Sequence, residues 1–241
     1  CRLLVCDCAC NALMPNPTPT LIAIYDMDKT VTRRATYNGF LLHMAFNKSP
    51  WRLFLSPLLP VGLALYALKF WDRTRLKQFS QMLLIGRKVP KERFAKYLDS
   101  HADLVVGKNV YPQLLARVAE EKAAGYRHVM ATASYRLYVE AIAKRLGFDD
   151  VIATDLATNS SGHVLARIDG HNCYDAAKLD LVKAWMAANK LARADCHIRA
   201  YSDHVSDAPL LAFADEAYAT NPHAPLAEMA TANGWEIIDW R

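Results

Sequence analysis

Leu21-Ile22-Ala23-Ile24-Tyr25 is a short apolar run rich in β-branched residues, and it stops at Asp26-Met27-Asp28-Lys29-Thr30. Such a run reads as a buried strand feeding a loop. Comparable runs follow at His128 to Thr132, Val151 to Ala153, His197 to Tyr201, Glu216 to Ala219 and Glu236 to Ile238. Between them lie helical patterns, among them Tyr111 to Ala124, Arg136 to Leu146 and Ala177 to Ala188. Gly125 and Gly147 stand where the first two of these helices should stop. Strand alternating with helix predicts an α/β fold, a Rossmann-like parallel sheet with helices on both faces. The acids after the first strand then fall where open α/β sheets bind their ligands, beyond the carboxyl ends of the strands.

Composition fits that frame. A chain of 241 residues with 53% hydrophobic content suits one domain, or a core carrying a smaller insert. Charged residues at 22%, with nine Gly and eleven Pro, exclude wholesale disorder and a collagenous chain. The net charge of +5 permits an anionic substrate or surface and does not point to nucleic acid. Four of the six cysteines crowd the first ten residues, leaving Cys173 and Cys196 as isolated thiols in the body. Two lone thiols make no disulfide framework, so we expect a reducing, cytoplasmic setting. The N-terminal cysteine spacing matches no common zinc pattern, and residues 1–20 are expected to be a disordered tail. Residues 1–13, ahead of Met14, read as a misassigned start. Asp7 interrupts the one short apolar run that would suggest a signal peptide.

The interval between the first two strands is too long for a simple crossover. Residues 37–107 are nearly all helical in pattern and are expected to form an inserted helical cap. Residues 21–36 and 108–241 would then form the core. Within the cap, residues 53–68 carry no charge, between Arg52 and Lys69, and Pro57, Pro60 and Gly62 interrupt them. They are short for a membrane span of about twenty residues. The segment reads as a buried or folded-back helix pair, or as one dipping into a single leaflet. Lys69 to Lys96 then holds nine Lys or Arg against Asp72 and Glu92. A basic stretch beside an apolar one is either a solvated face or a seat on anionic lipid, through residues 53–96 at the inner face of a membrane.

Asp26 and Asp28, two residues apart on a loop, can act together on a phosphoryl group. One attacks phosphorus while the other handles protons. Alone, such acids also serve in Asx-turns and helix caps. Other pieces are present, however. Thr132 ends a strand, where its hydroxyl and the following amides can hold phosphate oxygens at a helix start. Ser134 shares that work or N-caps the helix. Lys178 offers a cation for phosphoryl charge. Asp203 offers a metal ligand, and Asp207 a carboxylate that orients Asp203 or Lys178. The eight histidines show no metal-ligand spacing, although His204 lies inside this last acidic loop.

Together Asp26-x-Asp28-x-Thr30, Thr132, Lys178 and Asp203-x3-Asp207 resemble the motifs of the haloacid dehalogenase superfamily of phosphotransferases. Thr132-Ala133-Ser134, Asn172-Cys173-Tyr174, Tyr201-Ser202-Asp203, Asn221-Pro222 and Gly234-Trp235 are similar to its branch of phosphoserine-phosphatase-like enzymes. The resemblance covers residues 21–241. It implies Asp26 as nucleophile, forming an aspartyl-phosphate. Asp28 would be acid/base and bind Mg²⁺ through its backbone carbonyl. Thr132, Ala133 and Lys178 would bind phosphate, and Asp203 would complete a Mg²⁺ site with Asp26. Thr30, Ser134 and Asp207 would support them.

The chain departs from the pattern in three places. Asp175 stands where branch members often have Gly, and Thr132 where many have Ser. Ala35 stands where phosphoserine phosphatases carry a Glu that reads the substrate ammonium. Asp28-Lys29-Thr30-x-Thr32 also echoes the phosphorylation motif of cation-pumping ATPases. The chain lacks a pump's multiple spans, and its apolar run ends at Asp26, so Asp26 remains the expected nucleophile. The sequence is therefore expected to encode a Mg²⁺-dependent phosphomonoesterase for a small phosphorylated metabolite. The alternatives are a membrane-associated lipid-phosphate phosphatase resembling phosphatidylglycerophosphatase, and a degenerate binding module.

Overall fold

The computed structural model describes residues 18–241. The expectations for residues 1–13 and for the N-terminal cysteines lie outside the described residues. Thr20, assigned to the expected tail at residues 1–20, instead begins the first strand.

That strand, β1 (Thr20–Tyr25), lies within an eight-stranded sheet. The others are β2 (Lys88–Pro90), β3 (Arg127–Tyr135), β4 (Asp150–Thr158), β5 (His163–Asp169), β6 (Cys196–Ser202), β7 (Glu216–Thr220) and β8 (Glu236–Ile238), in the order β2-β5-β4-β3-β1-β6-β7-β8. The six strands from β4 to β8 run parallel, with β1 paired to β3 on one side and β6 on the other. Alternation along β1 divides the core. Ala23 and Tyr25 face one buried cluster, Ile22 and Ile24 the other. The first cluster is closed by α4 (Lys91–Lys108), α5 (Pro112–Ala123) and α6 (Arg136–Leu146), through residues such as Val105, Leu114 and Ile142. The second is closed by α7 (Ala176–Ala188), α8 (Ala208–Phe213) and α9 (Ala224–Asn233), through Val182, Leu210 and Leu226. The Rossmann-like sheet with helices on both faces is therefore present. Helix α6 stops at Gly147 as expected, in the left-handed conformation (φ 77°) that lets Phe148 bond back to Ala143.

One edge of the sheet departs from the all-parallel expectation. β5 pairs antiparallel with β4, and β2 pairs antiparallel with β5. The turn between β4 and β5 is built by Asn159, whose side-chain oxygen accepts from the amides of Ser161 and His163. Because β2 comes from the segment between β1 and β3, that segment is not helical throughout; it joins the sheet.

The remaining helices of that segment are α1 (Tyr37–Lys48), α2 (Leu59–Ala67) and α3 (Arg73–Leu84), with a 3₁₀ stretch from Pro50 to Leu58 that contains Pro57. The apolar run folds back on itself, as one reading of residues 53–68 expected, but it is not buried. No residue of the 3₁₀ stretch is buried, and in α2 only Gly62 is. Gly62 is needed for close approach, since a Cβ there would lie 2.6 Å from the Phe79 ring on α3. Among the described residues, no helix is long and apolar enough to cross a membrane.

Candidate active site

The loop after β1 is shaped by its own backbone. Met27 carbonyl accepts from the amides of Val31 and Thr32 and from the Thr32 hydroxyl. Asn221, from the Asn-Pro pair after β7, donates to the carbonyl of Lys29 at 3.2 Å and so ties this loop to the far side of β6. Asp26 itself is buried, and its amide donates to Tyr201 carbonyl at 2.9 Å. Thr30 is fully buried directly behind the acids in sequence, and its hydroxyl finds no protein partner among the described residues.

Lys178, on the first turn of α7, brings two distant parts of the chain together. Its ammonium donates to Asp26 Oδ1 at 2.7 Å and to Asp207 Oδ2 at 2.6 Å. Asp207 Oδ2 also accepts from the Ser202 hydroxyl at 2.7 Å, while Asp207 Oδ1 is buried without a partner among the described residues. Of the two residues that Asp207 is expected to orient, it bonds Lys178. The turn into α7 is made by Asp175, at φ 58°, a left-handed conformation that favours glycine. The departure at this position thus keeps the turn, with backbone strain added.

Charge is crowded here. Burial pushes the Asp26 carboxyl up, to about 8, against the pull of Lys178, and Asp207 and Asp203 push it further. Burial alone would lower Lys178, yet Asp207 and Asp26 overcome it and hold the ammonium well above its ordinary range. Burial likewise raises Asp203, to about 6, despite the opposing charge of Lys29. Three buried carboxylates therefore crowd one buried ammonium, which bonds Asp26 and Asp207 but not Asp203, so ionised together they would carry more negative charge than Lys178 offsets. With the orphaned Asp207 oxygen, that imbalance fits a hard divalent cation. Among the described residues, no three His, Cys, Asp or Glu side chains form a ready metal cage. The expected donors, two carboxylates and one backbone carbonyl, are not such a cage; they suit a cation that keeps several waters.

Asp28 is held from three directions. Its Oδ1 accepts from the amide and hydroxyl of Thr36, both at 2.8 Å, and its Oδ2 accepts from the Ser134 hydroxyl at 3.0 Å. Ser134 thus neither N-caps α6 nor opens it. β3 runs on to Tyr135 through an irregularity in its register with β4, and α6 begins at Arg136. The Thr132–Ser134 turn is consequently a bulged strand end, not a helix start as expected. Bulges re-aim side chains at sites of this kind. The Thr132 oxygen accepts from the Ser134 amide at 3.1 Å, which leaves its own proton to donate elsewhere.

Asp26, Asp28, Thr132, Ala133, Ser134, Lys178, Asp203 and Asp207 line one cavity of about 690 Å³ at the carboxyl ends of the strands. Ala35 and His204 border it as well. The His204 ring is occupied by Ser206, which bonds its Nδ1, and it stacks on His223 at 4.3 Å. The outer wall is apolar, formed by Leu41, Leu42, Leu59, Pro60 and Leu63.

Sequence reasoning missed two features. Lys77, on α3, was counted in a basic run. Its ammonium reaches across to donate to Ala133 carbonyl at 2.6 Å and to Asn172 Oδ1 at 3.0 Å, between the rings of Tyr37 and Tyr135. It joins α3 directly to the Thr132–Ser134 turn. The second is a buried carboxylate, Glu121, which accepts from Tyr25 at 2.7 Å and Tyr201 at 2.6 Å and contacts His128 at 3.2 Å. Tyr25 and Tyr201 stack at 4.1 Å, so this network aligns the two strand ends that carry Asp26 and Asp203. Helical spacing separates Glu121 from the exposed Glu120 beside it, since it follows Leu114 by seven residues and Val118 by three on the buried face of α5.

The sequence model of the haloacid dehalogenase-like hydrolases matches residues 23–212. Protein CicA of Caulobacter vibrioides is 31% identical over 202 residues, spanning 82% of this chain and 84% of that protein. A phosphoserine phosphatase of Mycobacterium tuberculosis is 30% identical over 152 residues, 59% of this chain and 48% of that protein, so the likeness spans about half of it. Among solved structures, a protein of unknown function from Bordetella pertussis Tohama I is similar with a TM-score of 0.81 at 26% identity, over 93% of this chain and 100% of that one.

Proposed function

This chain belongs to the haloacid dehalogenase-like hydrolase family, and we propose that it is a Mg²⁺-dependent phosphomonoesterase working through an aspartyl-phosphate on Asp26. The observation that carries this reading is the buried Asp26–Lys178–Asp207 chain, with Asp28 held two residues from the nucleophile. An Asp26 oxygen attacks phosphorus and the ester P–O bond breaks, while Asp28 gives a proton to the departing alkoxide. Asp28 then takes a proton from water. That water attacks phosphorus, the Asp26–phosphorus bond breaks, and phosphate leaves with the carboxylate restored. Lys178, the Thr132 hydroxyl and the Ala133 amide balance charge on the phosphoryl oxygens, while Ser134 holds Thr132 through its amide and Asp28 through its hydroxyl. Thr30 and Asp207 support the loop and the lysine. Asp26, Asp203 and the Asp28 carbonyl would hold Mg²⁺. When bound, it supplies the positive charge that draws an anionic ester against an anionic carboxylate. Within residues 37–107, α1, the 3₁₀ stretch, α2 and α3 act as the cap that selects the ester and excludes water, while β2 and α4 pack with the core.

The ester is read first as a small phosphorylated metabolite. Ala35 offers no carboxylate to an ammonium, which argues against phosphoserine. A second reading, an amphiphilic phosphate ester met at a membrane surface, is favoured by the apolar outer wall of the cavity. Turnover of p-nitrophenyl phosphate tests the class: EDTA should abolish it and added Mg²⁺ restore it. Turnover that survives exhaustive EDTA treatment would contradict the metal-dependent mechanism.

A further inference from the structure

We propose that the face formed by the 3₁₀ stretch and α2 docks on an anionic lipid bilayer and points the cavity mouth at it. The proposal rests on the phosphomonoesterase reading only for its consequence, the delivery of an amphiphilic ester to Asp26. Among the described residues thirteen large apolar side chains are exposed, and ten of them fall between Leu42 and Phe70. Phe54 is 86% exposed, Phe70 71% and Trp51 59%, far beyond what scattered surface apolar residues require. These aromatic and aliphatic groups have the chemistry of an interfacial segment, not of a transmembrane one.

Charge decides between the possible occupants. From Lys29 to Trp71 the chain contains no Asp or Glu; Lys69 is exposed at the end of the apolar stretch, while Lys48 and Arg52 turn inward and donate to the carbonyls of Ile85, Met82 and Leu83. Arg73 and Arg75 follow immediately, against Asp72 alone, and the Asp72 carboxylate is engaged by the Arg75 amide as a helix cap. Lys69 takes a left-handed turn conformation (φ 62°) that glycine would adopt without strain, so a charge sits where the backbone asks for none. Lys69, Arg75, Tyr66 and Trp71 border a second, shallow recess open to solvent. A second copy of this chain would bring like charges together across such a face. An anionic headgroup layer neutralises them.

The face is also continuous with the active site. Leu42 and Leu63 line the cavity and are 44% and 58% exposed, so the cavity's apolar wall runs out onto the same surface. An ester with an acyl tail would keep the tail along this wall while its phosphate reaches Lys178 and Asp26.

The test is flotation of the full chain with vesicles of phosphatidylcholine alone, or of equal parts phosphatidylcholine and phosphatidylglycerol. Binding is expected to the anionic vesicles, with a blue shift of tryptophan emission, and to weaken at about 0.5 M salt as charges are screened. Trp51→Ser with Phe54→Ser, and separately Lys69→Glu with Arg75→Glu, should each weaken binding about ten-fold or more. Both variants should hydrolyse soluble p-nitrophenyl phosphate like the parent chain, which certifies their fold. No flotation with anionic vesicles at low salt would overturn the proposal, as would a dimer that these substitutions dissociate. Binding to vesicles by a chain that hydrolyses no phosphate ester would uphold the docking face and remove the enzymatic reading instead.

Discussion

Asp26→Asn is expected to lower turnover of p-nitrophenyl phosphate by at least about 10⁴-fold, the scale seen when a covalent nucleophile is removed. The substitution preserves the shape of the side chain while it replaces one carboxylate oxygen by an NH2 group and removes the charge. It should not unfold the protein. The Asp26 carboxyl is already pushed up by burial and by its acidic neighbours. A neutral amide relieves part of that crowding, and Lys178 keeps its 2.6 Å bond to Asp207. Thermal unfolding of the variant should therefore occur at the parent midpoint or above it. Unchanged turnover with an intact fold would remove Asp26 from the chemistry.

Lys178→Met should damage both stability and activity. The lysine is 3% exposed and is the only buried cation bonded to Asp26 and Asp207 among the described residues. Methionine fills similar volume but leaves both carboxylates buried without compensation, beside an Asp207 oxygen that already has no partner. Breaking a buried ion pair on one side costs about 3 kcal/mol or more. In a chain of this size that lowers the unfolding midpoint by about 10 °C. Loss of the ammonium from the phosphoryl oxygens should reduce kcat by about 10²- to 10³-fold. The two effects separate in the double variant Lys178→Met/Asp207→Asn. Removing the second charge should return part of the lost stability, since contacting charges couple by about 1–3 kcal/mol, and should return none of the activity. A single Lys178→Met variant as stable as the parent would contradict the charge balance described for the site.

The parallel core was legible because its strands are buried on both faces and because α5, α6 and α9 run into glycines. β1, β6 and α6 carry signals of that kind within a dozen residues each. The antiparallel edge was not. β5, though as long as β6, is half-exposed and mixed in polarity, and β2 is three residues whose only strand-like property is a partner far away in the chain. The acids, Thr132 and Lys178 that line the cavity could be singled out because their chemistry is unusual at those positions, whereas their placement was legible only in part. Ser134 could be named from its neighbours, but its bond to Asp28 depends on a bulge that no local pattern announces. Lys77 belongs to a run of basic residues, and such runs are usually solvated. Only the packing of α3 against the core aims that one ammonium at Ala133. The apolar stretch at 53–68 shows the same limit from the other side. Apolarity states what a segment would bury, and the fold decides whether the chain itself supplies the partner.

The central claim is that phosphorus is bonded for a time to an oxygen of Asp26. Acid quenching during turnover of p-nitrophenyl phosphate with Mg²⁺, followed by digestion and mass spectrometry, tests it directly. We expect a hydroxylamine-labile phosphoryl group on the peptide containing Asp26, and none in the Asp26→Asn protein. A phosphoryl group on another residue, or an active enzyme that accumulates none in rapid-quench single turnover, would contradict the account.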